Sequence, residues 1–180
     1  MMAPRVLLLP GWLDSGPTHW QSRWERVHAY RRVTQNDWLW PKRGDWMARL
    51  EEVLLESDAP AVLVAHSLGC HLVAAWSAHS QHTARVRGAL LVAPPDIERE
   101  DMPPNLLPWR PIVRRVLPFA AIAVTSDDDP FGTPERGARL VREWGARPVG
   151  LGTVGHINGE SGLGDWPAGQ ALLAQLLAAN

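Results

Sequence analysis

Four stretches of the chain are apolar almost without interruption: residues 6–9, 61–65, 86–93, broken only at Arg87, and 120–125, ending in Thr125. Unbroken rather than alternating apolar runs are how strands covered on both faces read. Weaker candidates at 31–34 and 146–151 bring the set to about six. Between them the spacing turns helical. Trp20, Trp24 and Val27 form one stripe of a first helix, opened by Thr18 and Gln21 in capping-box spacing. Asp45 can cap a second helix carrying Trp46, Leu50, Val53 and Leu54, and a third over about 68–78 turns Leu72, Val73 and Trp76 inward. In that third helix the small Gly69, Ala74 and Ala75 permit a close approach to the sheet. Thr133 or Pro134 opens a fourth helix that ends near Gly145. Asp165 caps the last one, with Pro167 in its first turn and Leu172, Leu173, Leu176 and Leu177 facing inward. Strands alternating with helices predict an α/β class with three layers, a mostly parallel sheet with helices on both faces. The proline-rich stretch 94–118 is the one long irregular segment. It is too short for a helical cap domain, and such segments often wall a site.

At 180 residues the expectation is one domain over 1–180. A net charge of −1 offers no electrostatic footprint for nucleic acid or an anionic membrane. The apolar runs fall far below the ~18 residues that cross a bilayer, and the first is too short for a signal-peptide core. Cys70 is the only cysteine, so neither an intramolecular disulfide nor a thiolate metal cluster can form, and a cytoplasmic location fits. No metal site is expected. Ten Trp stand against one Tyr and two Phe, and Trp20, Trp24, Trp38, Trp40, Trp46 and Trp76 are expected mostly in the core.

The sharpest chemical signal is Ala65-His66-Ser67-Leu68-Gly69, directly after one strand and directly before a helix. That is the setting of a nucleophile elbow, where small residues two before and two after the serine let strand and helix approach. Gly usually holds the first place, so Ala65 is a mild departure. The bland alternative is a serine serving as helix N-cap. A serine hydroxyl needs a base oriented by a third group, and the chain supplies both after later strands: Asp127-Asp128-Asp129-Pro130 and Gly155-His156. Among the three aspartates, Asp129 is chosen because a residue before proline is held extended. Asp127 and Asp128 are then loop charges or caps, while Asp128 stays the alternative acid. His156, in a glycine-rich and expectedly mobile loop, is the candidate base. Two backbone N–H groups should meet the developing oxyanion, those of Leu68 and of Trp12 in the loop after the first strand, where Gly11 permits a sharp turn.

These residues, with Pro10-Gly11-Trp12, His19-Trp20, Trp24 and Gly155-His156-Ile157-Asn158, resemble the small, nearly lidless α/β-hydrolases of the YdeN-like, retinoblastoma-binding serine hydrolase family. The resemblance spans nearly the whole chain. It implies an α/β-hydrolase fold, a serine hydrolase with Ser67, Asp129 and His156 as triad, and no named substrate. The pocket-protein-binding Leu-x-Cys-x-Glu motif that names the vertebrate member is incomplete here: Leu68-Gly69-Cys70-His71-Leu72 has no Glu. That partner is not carried over.

Other signals are weaker. Gly150, Gly152 and Gly155 match a dinucleotide fingerprint but lie near the carboxyl end with no helix opening on the third glycine, so no cofactor is expected. Cys70 reads as a packed small hydrophobe. His19 and His66 flank the site, with a structural hydrogen-bonding role at least as plausible as substrate contact. A substrate wall is expected from Leu13, Leu106, Leu107, Trp109, Phe131 and Ile157, which suits small uncharged acyl esters. Two further readings stand beside the esterase: an interaction module on a hydrolase fold, and an acyltransferase or thioesterase.

Overall fold

The computed structural model describes residues 2–179. Its elements are β1 (Arg5–Leu9), α1 (Trp20–His28), β2 (Arg31–Arg32), α2 (Arg43–Leu55), β3 (Ala61–His66), α3 (Leu68–His79), β4 (Val86–Val92), β5 (Ala120–Thr125), α4 (Pro134–Glu143), β6 (Arg147–Gly150) and α5 (Pro167–Ala178). The strands form one six-stranded sheet in the order β2-β1-β3-β4-β5-β6, and every neighbouring pair is parallel. No described helix is long and apolar enough to cross a membrane.

Because side chains alternate across a strand, each central strand feeds two cores. Leu7, Leu9, Leu63, Ala65, Leu91 and Ala123 pack with residues of α2, α3 and α4 on one face. Val6, Leu8, Val62, Val64, Leu90 and Val124 pack with α1 and α5 on the other. Each fully buried large side chain contributes about 1.5–3 kcal/mol, and a strand buried on both sides reads as an apolar run. The edge strands β2 and β6 are short and largely exposed, which is why their sequence signal is weak.

Three predicted helix starts differ from the structure. His19, not Thr18, caps α1, with its Nδ1 accepting from the Gln21 N–H at 3.1 Å. Lys42 precedes α2 without a side-chain cap, and Asp45 lies in the first turn, where a carboxylate still favours the helix dipole. Trp166 rather than Asp165 borders α5, in a left-handed conformation that turns its ring onto Trp20 and Trp24. Asp165 instead pairs with Arg23. Val27 faces solvent, as does Trp40, while Trp20, Trp24, Trp46 and Trp76 are buried.

The sheet and α3 meet at the carboxyl end of β3. A Cβ on Gly69 would lie 2.3 Å from the Leu9 carbonyl oxygen, and one on Gly11 would lie 2.8 Å from the Ser67 Cβ. Gly11 therefore serves close approach, not a left-handed turn; the left-handed residues of that loop are Leu13 and Asp14. Gly69→Ala should destabilise by about 3 kcal/mol or more, because backbone rather than a flexible side chain blocks the methyl. Gly44→Ala, with nothing within 4 Å, should be neutral or stabilising. Urea unfolding of both variants checks this.

Candidate active site

Ser67 sits between β3 and α3 at φ 55 and ψ −122, a conformation that costs a non-glycine residue about 1–3 kcal/mol. Its backbone is held by the bond from its N–H to the Val92 carbonyl (2.9 Å) and by that from Cys70 N–H to its own carbonyl (2.9 Å). Its side chain makes no capping bond. Instead Oγ lies 2.8 Å from Nε2 of His156, so Ser67 holds the N-cap position of α3 without its hydroxyl capping the helix.

The other ring nitrogen of His156 faces Asp129, with Nδ1 at 2.9 Å from Oδ1 and 3.0 Å from Oδ2. Both side chains are only 10% exposed. Among the three aspartates the labour divides. Asp127 is exposed. Asp128 accepts from the Ser126 hydroxyl and from the Gly155 N–H, each at 2.8 Å, and these bonds hold its carboxyl below the usual carboxylate range. It ties the loop after β5 to the loop carrying His156, a task that its position in a run of like charges did not announce. If Asp129 orients the imidazole, Asp129→Asn should lower kcat by about 10⁴, the cost of a wrong tautomer, while Asp127→Asn stays near wild type. Steady-state ester kinetics separates the two.

The His156 loop is pinned, not loose. Val154 N–H donates to the Ser126 hydroxyl (3.0 Å), and Trp20 Nε1 donates to the Ile157 carbonyl (2.8 Å). A buried chain of histidines reaches it from the other side. Gln21 N–H donates to His19 Nδ1, so the His19 proton sits on Nε2 and points to His66 Nδ1 at 3.3 Å. His66 then carries its proton on Nε2 and donates to the His156 carbonyl at 2.9 Å. Burial pushes His19 down to about 3, and burial with its histidine neighbours pushes His66 well below the usual value. Gln21 closes the network by donating to the Leu9 and Val64 carbonyls and accepting from Ser15. Cys70 is buried nearby, and burial pushes its thiol up, away from the reactive thiolate.

The family model described as "Serine hydrolase" matches residues 6–175. The chain belongs to the serine hydrolase family. Among solved structures, a protein of Pectobacterium atrosepticum described as a YdeN-like hydrolase is 28% identical with a TM-score of 0.84, over 96% of this chain and 90% of that one. The ydeN gene product of Bacillus subtilis is 20% identical with a TM-score of 0.75, over 97% and 99%. A Bacillus subtilis carboxylesterase, at 16% identity and a TM-score of 0.62 over 99% and 85%, shares the fold. No curated protein sequence matches.

In this serine hydrolase a cleft of about 410 Å³ opens over Ser67 and His156. Trp12, Leu13, Leu106 and Phe131 line it, together with His19, His66 and Leu68. Three expected wall residues do not. Trp109 is buried, with its Nε1 donating to the Pro41 carbonyl and its ring edge-on to Trp46, because the tight turn Pro104–Trp109 directs it into the core. Leu107 lies on the outer side of that turn, 49% exposed. Ile157, at φ 50, is fully buried in the α1/α5 core, so that its neighbours His156 and Asn158 face the cleft in its place. Gln21, Trp20 and Asp128 support the site through contacts 27–137 residues away in sequence; no local spacing signals such contacts.

Proposed function

We propose that the chain is a carboxylesterase that cleaves small uncharged acyl esters through a covalent acyl-enzyme. One observation carries the reading. The Ser67 hydroxyl, the His156 imidazole and the Asp129 carboxylate stand in one hydrogen-bonded row at 2.8 and 2.9 Å, on a serine held in a strained turn. Oγ of Ser67 attacks the acyl carbon while Nε2 of His156 takes its proton, and Asp129 steadies the imidazolium that forms. The negative charge on the carbonyl oxygen meets the N–H groups of Leu68 and Trp12. Leu68 begins α3, where no helix carbonyl is available to its N–H. The loop carrying Trp12 lies against it, since a Cβ on Gly11 would be 3.2 Å from Leu68 N. A donor of this kind is worth about 2.7–4 kcal/mol. His156 then returns its proton to the leaving oxygen, and water repeats the sequence on the acyl-serine.

No Arg or Lys lines the cleft among the described residues, which favours uncharged acyl groups over carboxylate- or phosphate-bearing ones. The test is turnover of p-nitrophenyl acetate, quenched in acid before completion. The expected result is nitrophenol release together with a chain heavier by one acetyl group. Release no faster than in buffer, with no acetylated chain, would overturn the proposal.

A further inference from the structure

We infer that the cleft reads the direction of an ester: its substrates join an apolar acyl chain to a small, polar, non-anionic alcohol. The inference rests on the ester-hydrolase reading of Ser67 and deepens it. In that chemistry the bond from Ser67 Oγ to the acyl carbon forms, the bond from acyl carbon to alcohol oxygen breaks, and that oxygen leaves with the proton held on Nε2 of His156. The alcohol must therefore lie beside His156. With the carbonyl oxygen at the N–H groups of Trp12 and Leu68 and the alcohol beside His156, the acyl chain takes the remaining direction, along the side of the cleft formed by Trp12 and Leu106.

The cleft differs at these two ends. Beside His156 the chain continues through Asn158 and Glu160, and Gly159 packs so tightly on Thr18 that a Cβ there would lie 2.7 Å from the Thr18 Oγ1. That end is polar, although Phe131 covers the imidazole itself with ring centroids 4.5 Å apart. At the other end the indole N–H of Trp12 donates to the Leu39 carbonyl, and the same carbonyl accepts from the side chain of Asn105. This shared acceptor brings Leu106, the neighbour of Asn105, to the Trp12 side, where Leu13 and Met102 add apolar lining; Asp14 also borders the cleft there, its carboxylate paired with Arg32. Outside the cleft, Leu39 and Leu107 are exposed apolar side chains, at 53% and 49%. Among the described residues neither end carries an Arg or Lys to meet a phosphate or sulfonate.

The experiment uses two isomeric esters, glyceryl monohexanoate and hexyl glycerate, which contain the same atoms with the ester reversed. Their kcat/KM values are normalised to their alkaline hydrolysis rates, and p-nitrophenyl acetate is run on the same preparations. The expected result is at least a tenfold preference for glyceryl hexanoate. From acetate to hexanoate, the nitrophenyl esters should gain about two- to fourfold in kcat/KM per methylene. Leu106→Ala should reduce the preference at least threefold. So should Leu13→Asn, a change at an exposed residue of φ 66 where asparagine is well tolerated. Equal or reversed preference, or a ratio untouched by both variants, overturns this inference alone if nitrophenyl acetate is still cleaved. Failure to cleave any of these esters overturns the ester-hydrolase reading beneath it.

Discussion

If Ser67, His156 and Asp129 act as the proposed triad, Ser67→Ala should lose on the order of 10⁶ in ester turnover, because such groups act as a unit and removing the nucleophile forfeits nearly all that the unit supplies. Folding should survive. Alanine occupies the same strained turn, and no capping bond is lost, since the hydroxyl caps nothing. The measurement is kcat/KM on a nitrophenyl ester beside a urea melt, with Ser77→Ala as control; that hydroxyl only bonds the Ala74 carbonyl within α3. Comparable turnover in wild type and Ser67→Ala would place the reaction elsewhere, however well the three groups line up.

A comparable free energy rides on acid pH. His19 is held to about 3 and His71 to about 4 by burial, and His66 well below the usual 6.5. In the unfolded chain each takes a proton near pH 6.5, whereas the folded chain does not. Unfolded molecules thus bind more protons, and stability falls as pH drops below about 6.5. By linkage His19 and His71 each cost about 2 kcal/mol at pH 5, so these two together cost about 4 kcal/mol, and His66 acts in the same direction. That approaches the lower end of the roughly 5–15 kcal/mol total of an ordinary domain. Glu98, held at about 2 by Arg114, adds its own loss only below about pH 4.5. Urea midpoints at pH 7 and pH 5 should differ steeply, and His71→Gln, which keeps a donor for the Pro95 carbonyl, should remove about 2 kcal/mol of the difference. Equal midpoints would mean that these imidazoles take up protons in the folded chain.

The interior of the fold was readable because its physics is repetitive. Residues 61–65 and 120–124 are apolar without a break since strands β3 and β5 are covered on both sides, and β5 spans the predicted residues 120–125. Helix stripes were read well where packing is dense, as at Trp46, Leu50 and Val53. Caps were read less well. The Thr18 and Gln21 spacing suited a capping box, but His19 is drawn into the buried network and caps α1 from there. The candidate site divides in the same way. Ser67, Asp129 and His156 stand at strand ends, where chain order and neighbouring small residues carry a signal. The parts that hold His156 in place, Asp128, Gln21 and the Trp20 indole, act through long-range hydrogen bonds, and a single sequence records no such pairing. The wall was read only in part: within one tight turn, Leu106 lines the cleft, Leu107 meets solvent and Trp109 enters the core.

Whether Ser67 is the activated nucleophile is tested most directly by a fluorophosphonate probe, with the site of modification mapped by peptide mass spectrometry. One adduct per chain should form, on the peptide carrying Ser67, and His156→Ala should slow its formation by orders of magnitude. An unmodified chain under conditions that label other serine hydrolases, or an adduct on a different serine, would contradict the account.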